Sequence, residues 1–129
     1  MTARRLSRAW QVALLVSMTT WGCAGHGAPP DPDPQGEISL VVSDNHWLDM
    51  RIYLLRGETG QRLGTVPAGA AREFSLPARM LGPNRGLRLK ASPIGSSESY
   101  VSAPLVVEPG QGIEWVLQSR LALSTVSVF

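Results

Sequence analysis

The sequence predicts an all-β protein whose body, residues 37–129, is a single antiparallel β-sandwich of about seven strands. Three observations predict it. Apolar and polar residues alternate with a period of two through most of that span. Turn-forming clusters interrupt the alternation at short intervals, and no window of helical length has a 3.6-residue period.

The strands can be taken in order. In EISLVVSD, Ile38, Leu40 and Val42 share one face of a strand over 37–43, with Ser39 and Ser43 on the other. In WLDMRIYLLR, Leu48, Met50, Ile52 and Leu54 alternate with Trp47, Asp49, Arg51 and Tyr53, predicting a strand over 48–56. Residues 61–66 form the third strand. Phe74 and Leu76 alternate with Glu73 and Ser75 in the fourth, 71–77. Leu87, Leu89 and Ala91 alternate with Arg88 and Lys90 in the fifth, 86–93. The sixth spans 100–107, and Ile113, Trp115 and Leu117 define the seventh, 112–118. LPARMLG, residues 76–82, is suited to one helical turn. In the tail SRLALSTVSVF the apolar phase switches from Leu121 and Leu123 to Val126 and Val128, which places a bulge or bend near Ser124.

The breaks have turn chemistry. SDNHW, RGETGQ, VPAGA, LGPNRG, PIGSSES and EPGQG supply glycine for positive φ, proline for a preset φ, and Asn or Asp for local backbone bonds. Each predicted sheet has one apolar face, and two such faces packed about 10 Å apart make one core. A membrane barrel would need strands of about 9–11 residues with aromatic girdles, and most of these are shorter. The strand number and spacing are similar to those of transthyretin-like and immunoglobulin-like domains. That resemblance is generic, since the body contains no cysteine for an antibody-type disulfide.

Ahead of the body the composition changes twice. MTARRLSRAW carries Arg4, Arg5 and Arg8 and no acid, and Ala9 to Gly22 is free of charge. A basic start, a short apolar run and small residues after it are the parts of a secretory signal peptide, here residues 1–22. The uncharged run is short of the roughly 20 apolar residues that a spanning helix requires. Residues 23–36 then read as a spacer: Pro29, Pro30, Pro32 and Pro34 favour extended polyproline II over packed structure. At about 3.1 Å per residue, such a spacer reaches up to roughly 40 Å. Asp31 and Asp33 sit between prolines, which prevents the loop from curling round a Ca²⁺ ion.

Cys23 is the sole cysteine. An odd thiol in an oxidising compartment pairs between chains or stays reactive. The basic start, apolar run, Gly22 and Cys23 together resemble the lipobox of bacterial lipoproteins, with Thr20 in place of the usual leucine and Trp21 bulkier than usual. The resemblance implies lipid attachment at Cys23, cleavage before it, and export to the cell envelope on a membrane anchor. Ala24, rather than aspartate, follows the cysteine, which in that family favours the outer membrane. Two or more acyl chains anchor stably where one does not.

Charge excludes some partners. Three of the twelve basic residues lie in the signal, leaving nine against ten acids, about −1 after cleavage. Arg85, Arg88 and Lys90 cluster without an accompanying aromatic ladder, so nucleic acid is not an expected partner. Nor is catalysis expected. His26 falls in the spacer and His46 in a turn, and no HExxH, paired CxxC, P-loop or GxSxG motif occurs. No cofactor is implied.

One stretch stands out as a candidate binding site. In SDNHWLD, the residues Asp44, Asn45, His46 and Asp49 are of types that bind a cation or a sugar hydroxyl, although Asx residues are turn formers by default and His46 would then be solvated at the tip. Trp47 falls outside the apolar phase of Met50 and Ile52 and is expected to face outward, as binding hot spots often do. Trp115 shares the phase of Ile113 and Leu117 and is expected in the core. Two functions follow as expectations. The first is a lipid-anchored interaction or structural module that meets another envelope protein through loops or an edge strand. The second is a lipoprotein that takes a sugar, small molecule or cation at the 43–49 turn and Trp47.

Overall fold

The structure, a computed structural model, describes residues 36–129. The signal segment 1–22, Cys23 and the spacer as far as Gln35 lie outside the described residues. The body is an all-β sandwich. Nine strands among the described residues form two sheets: β1 (Glu37–Asp44), β2 (Met50–Arg56), β3 (Thr59–Val66), β4 (Ala71–Pro77), β5 (Gly86–Pro93), β6 (Tyr100–Val101), β7 (Leu105–Val106), β8 (Gly112–Leu117) and β9 (Thr125–Val128). One sheet runs β4-β1-β8-β9; the other runs β3-β2-β5-β6, with β7 also on β5.

The period-two pattern decides which side chains meet. Ile38, Leu40 and Val42 of β1 are buried, as are Met50, Ile52 and Leu54 of β2, Leu87, Leu89 and Ala91 of β5, and Ile113, Trp115 and Leu117 of β8. They form one continuous core between the sheets. Its burial is the main source of stability, at about 25 cal/mol for each Å² of apolar surface removed from water.

Three details depart from the sequence reading. First, β1 lies antiparallel to β4 but parallel to β8, with Val42 opposite Trp115. The other pairings are antiparallel as expected. A parallel pair needs a long crossover, and here the whole second sheet and β4 intervene between β1 and β8.

Second, the strand expected over 100–107 is cut into β6 and β7. Ser102 ends the first ladder: its N–H donates to Leu89 O at 2.8 Å, and its hydroxyl accepts from Leu89 N–H at 3.0 Å. Pro104 follows with no N–H to give.

Third, β2 starts at Met50 rather than at 48, so Leu48 and Asp49 belong with Trp47 to the preceding bend. The helical turn suggested for 76–82 is a 3₁₀ turn at Ala78–Met80. The phase switch near Ser124 is another 3₁₀ turn, at Leu121–Leu123, after which β9 leans Val126 and Val128 on the core.

Both sheets meet along the β3–β4 side. Phe74 of β4 lies over Gly64 of β3, where a Cβ would come within 2.8 Å of the ring. Arg72 Nη1 donates to Thr65 O at 2.8 Å and ties the two strands together.

Candidate functional site

The bend from Asp44 to Asp49 joins the two sheets, and its backbone is tied at several points. Asp44 N–H donates to Ala70 O and Asn45 N–H to Leu117 O, each at 2.8 Å. Asp44 Oδ1 accepts from His46 N–H at 2.8 Å, the short Asx loop that this residue type forms readily. His46 Nδ1 accepts from Leu48 N–H at 3.0 Å, which puts the proton of the neutral ring on Nε2. Asp49 Oδ1 accepts from Ala68 N–H at 3.0 Å, and Asp49 O accepts from Ile94 N–H.

His46 is therefore not solvated at a turn tip. It is buried, 4% exposed, and so is Asp44. The reason is the chain of backbone donors: folding the bend inward satisfies His46 N–H and Leu48 N–H with side-chain acceptors instead of water. Asn45 and Asp49 stay exposed.

Asp44 carries an electrostatic consequence. Burial lifts its carboxyl above the ordinary value near 3.8. The bond from His46 N–H opposes that rise, and Asp49 adds to it. Its Oδ2 is buried with no hydrogen-bond partner among the described residues.

Trp47 points the other way, as the sequence suggested. It is 74% exposed, yet it is not loose: its ring stacks on His46, centroids 5.3 Å apart and 21° from parallel. Trp115 is fully buried beside Tyr100, at 6.3 Å between ring centroids.

The bend thus ties Asp44, Asn45, His46 and Asp49 by separate hydrogen bonds, of which the one from His46 N–H to Asp44 joins two candidates directly, with Trp47 as the outward face. The acceptors Asp44 Oδ1, His46 Nδ1 and Asp49 Oδ1 already serve backbone donors. Among the described residues no three of His, Cys, Asp and Glu are grouped to hold a metal ion.

Concave surface lies elsewhere, at a place that no motif or pattern in the sequence marks. A groove of about 890 Å³ opens at the other end of β2, lined by Leu54, Arg56, Pro83, Leu87, Arg88 and Pro104, among others. Only the sandwich topology brings those separate segments together. Asn84 and Arg85, at its lip, hold positive φ of 58° and 56°. The basic cluster noticed in the sequence is dispersed around this end. Arg85 pairs with Glu108 at 3.4 Å across solvent, and Lys90 Nζ stands 6.0 Å from the Tyr53 ring.

Neither a protein-family model nor a curated protein matches the chain.

Proposed function

We propose that the protein is a lipid-anchored interaction module of the bacterial cell envelope. In this reading Cys23 carries the lipid, the proline-rich spacer holds the sandwich off the membrane, and the domain meets another envelope protein without performing catalysis. The observation that carries it is Trp47, a large aromatic left 74% exposed on a bend whose backbone is fixed from both sheets. A rigid, displayed tryptophan loses little conformational freedom on binding, and tryptophan is enriched among interface hot spots. No helix among the described residues is long and apolar enough to cross a membrane.

The small-ligand reading of the same bend has less support. Its best polar acceptors are occupied by backbone donors, and Trp47 stands proud of them on His46.

Two measurements test the proposal. Mass spectrometry of the mature chain from a bacterial host should find a diacylglyceryl adduct on Cys23, and Cys23→Ser should move the protein out of the membrane fraction. In situ cross-linking should yield a discrete adduct for wild type that Trp47→Ala loses while its fold is kept. A bare Cys23 removes the anchor; an adduct indifferent to Trp47→Ala removes the interaction face. If divalent cations or glycans shift the Trp47 fluorescence instead, the ligand reading replaces it.

A further inference from the structure

The four sheet edges are not alike. β3 contains Arg62 and two glycines and has a register irregularity against β2 at Ile52/Tyr53. β4 contains Arg72, Glu73 and Pro77. β6 and β7 are two residues each, separated by a segment with Pro104. Charges, proline, irregular register and brevity are the usual guards against edge-to-edge pairing. β9, TVSV, has no charge, proline or glycine, and among the described residues pairs with β8 alone.

The hydrogen-bond phase of β9 fixes what its free side offers. Gly112 N–H donates to Phe129 O and Phe129 N–H to Gly112 O, both at 2.9 Å, so residues 112 and 129 form a hydrogen-bonded pair. In an antiparallel ladder such pairs alternate with non-bonded ones. Given the register Ile113↔Val128, Glu114↔Ser127 and Trp115↔Val126, Ser127 turns its backbone groups to β8. Val126 and Val128 turn theirs away. The free edge therefore presents two donors and two acceptors, spaced two residues apart.

We propose that this edge pairs with the β9 strand of a second copy of the chain, antiparallel about a two-fold axis at Ser127. Among self-pairings, the register that sets Val126 opposite Val128 of the second copy uses all four outward groups in four hydrogen bonds. Setting Val126 opposite itself would bring Val128 against Ser124, whose N–H is already held by Leu121 O. The side chains agree with the first register. Val126 and Val128 both lean on the core side, so valine meets valine there. Ser127 meets Ser127, and Thr125 meets Phe129, all four exposed on the outer face. No charge on the strand opposes another. The self-match in backbone phase, side-chain face and charge favours a second copy over an unrelated strand. The surface is separate from the Trp47 bend, so the inference stands independently of the function proposed above.

A cysteine placed on the axis reads the register. Two residues in a non-hydrogen-bonded antiparallel pair have Cα atoms about 4.5 Å apart, within disulfide reach. Residue 125 faces 129 of the other copy, which leaves the two residues 125 roughly 14 Å apart, out of reach. The full chain in detergent should sediment as a concentration-dependent dimer. Under mild oxidation Ser127→Cys should give a covalent dimer, while Thr125→Cys should not exceed the wild-type background. Ser127→Lys, which sets like charges face to face on an exposed position, should keep the wild-type circular dichroism and raise the dimer dissociation constant about tenfold or more. A monomeric wild type, equal cross-linking at 125 and 127, or a Ser127→Lys protein that dimerises like wild type would each overturn the proposal.

Discussion

His46 and Trp47 are stacked neighbours with opposite environments: one ring is sealed in the bend at 4% exposure and the other is 74% exposed. The buried ring supports the exposed one. It also accepts from Leu48 N–H, so a single side chain links the bend's backbone to the presentation of its aromatic face.

That link separates stability from display. His46→Ala leaves Leu48 N–H without its acceptor and removes the stack, a combined loss of about 1–3 kcal/mol. Trp47→Ala removes the same stack and a mostly solvated ring but leaves the bond from Leu48 N–H in place, so it should cost less than His46→Ala, about 0.5–1 kcal/mol. Urea titrations followed by circular dichroism should show this order. Trp47 fluorescence anisotropy should also fall in His46→Ala, because the indole then lacks its support. Equal stabilities for the two variants would mean that the bond from Leu48 N–H to His46 contributes nothing to the fold.

Asp44 makes the same bend sensitive to pH, and the sign can be worked out. Its carboxyl is raised in the folded protein, so between the unfolded value and the raised folded value the native state binds more protons. Stability must fall as pH rises through that window, and the cost of the buried charge is fully present above it. Below the unfolded value both states are protonated and Asp44 contributes no slope. Asp44→Asn keeps an oxygen for His46 N–H and should abolish this segment of the curve. The check is the difference in unfolding free energy, wild type minus Asp44→Asn, measured across the acid range; a flat difference would refute the assignment.

How the bend could and could not be read in the sequence follows from the range of the forces involved. Trp47 faces outward as expected, but from a bend outside the strand whose alternation suggested it. The buried Trp115 was legible because a period of two assigns faces locally. So were the bounds of β4 and β5, set by alternation between Gly-, Pro- and Asn-rich breaks. The burial of His46 was not, since it depends on acceptors at Ala70 and Leu117 that pin the bend from distant strands. Nor was the parallel β1–β8 pair, because alternation states which face a residue occupies and not which strand lies beside it. Ser102 misled for a related reason: its hydroxyl substitutes for a ladder acceptor, and a serine inside a β-rich stretch carries no mark of that.

Ser102 is itself a test of that substitution. Its hydroxyl accepts from Leu89 N–H and donates to Ala103 O at 2.9 Å, and the residue is buried. Ser102→Ala leaves a backbone donor of the central strand β5 without a partner where water cannot replace it, at a cost of about 1–3 kcal/mol. Hydrogen exchange should show the loss locally, as reduced protection of the Leu89 amide. Unchanged protection there would mean that the hydroxyl is dispensable.

Gly64 and Gly112 look alike by distance but should differ in consequence. A Cβ at Gly112 would come within 2.4 Å of the Phe129 ring, closer than the 2.8 Å between a Cβ at Gly64 and Phe74. What decides the cost is whether the ring can move. Phe129 is 71% exposed and can swing into solvent without leaving a void. Phe74 is half-buried against the core at the β3–β4 seam, with Arg72 of the same strand already tied to Thr65, so it has to shift within packed surroundings. Gly64→Ala should therefore destabilise by about 1–3 kcal/mol, the usual range for overpacking. Gly112→Ala should cost less than about 1 kcal/mol, the added clash being offset in part by the lower chain entropy of alanine in the unfolded state. Chemical denaturation of the two variants side by side gives the order directly. Should Gly112→Ala prove the more damaging, Phe129 is held on the outer face by more than its contact with Gly112.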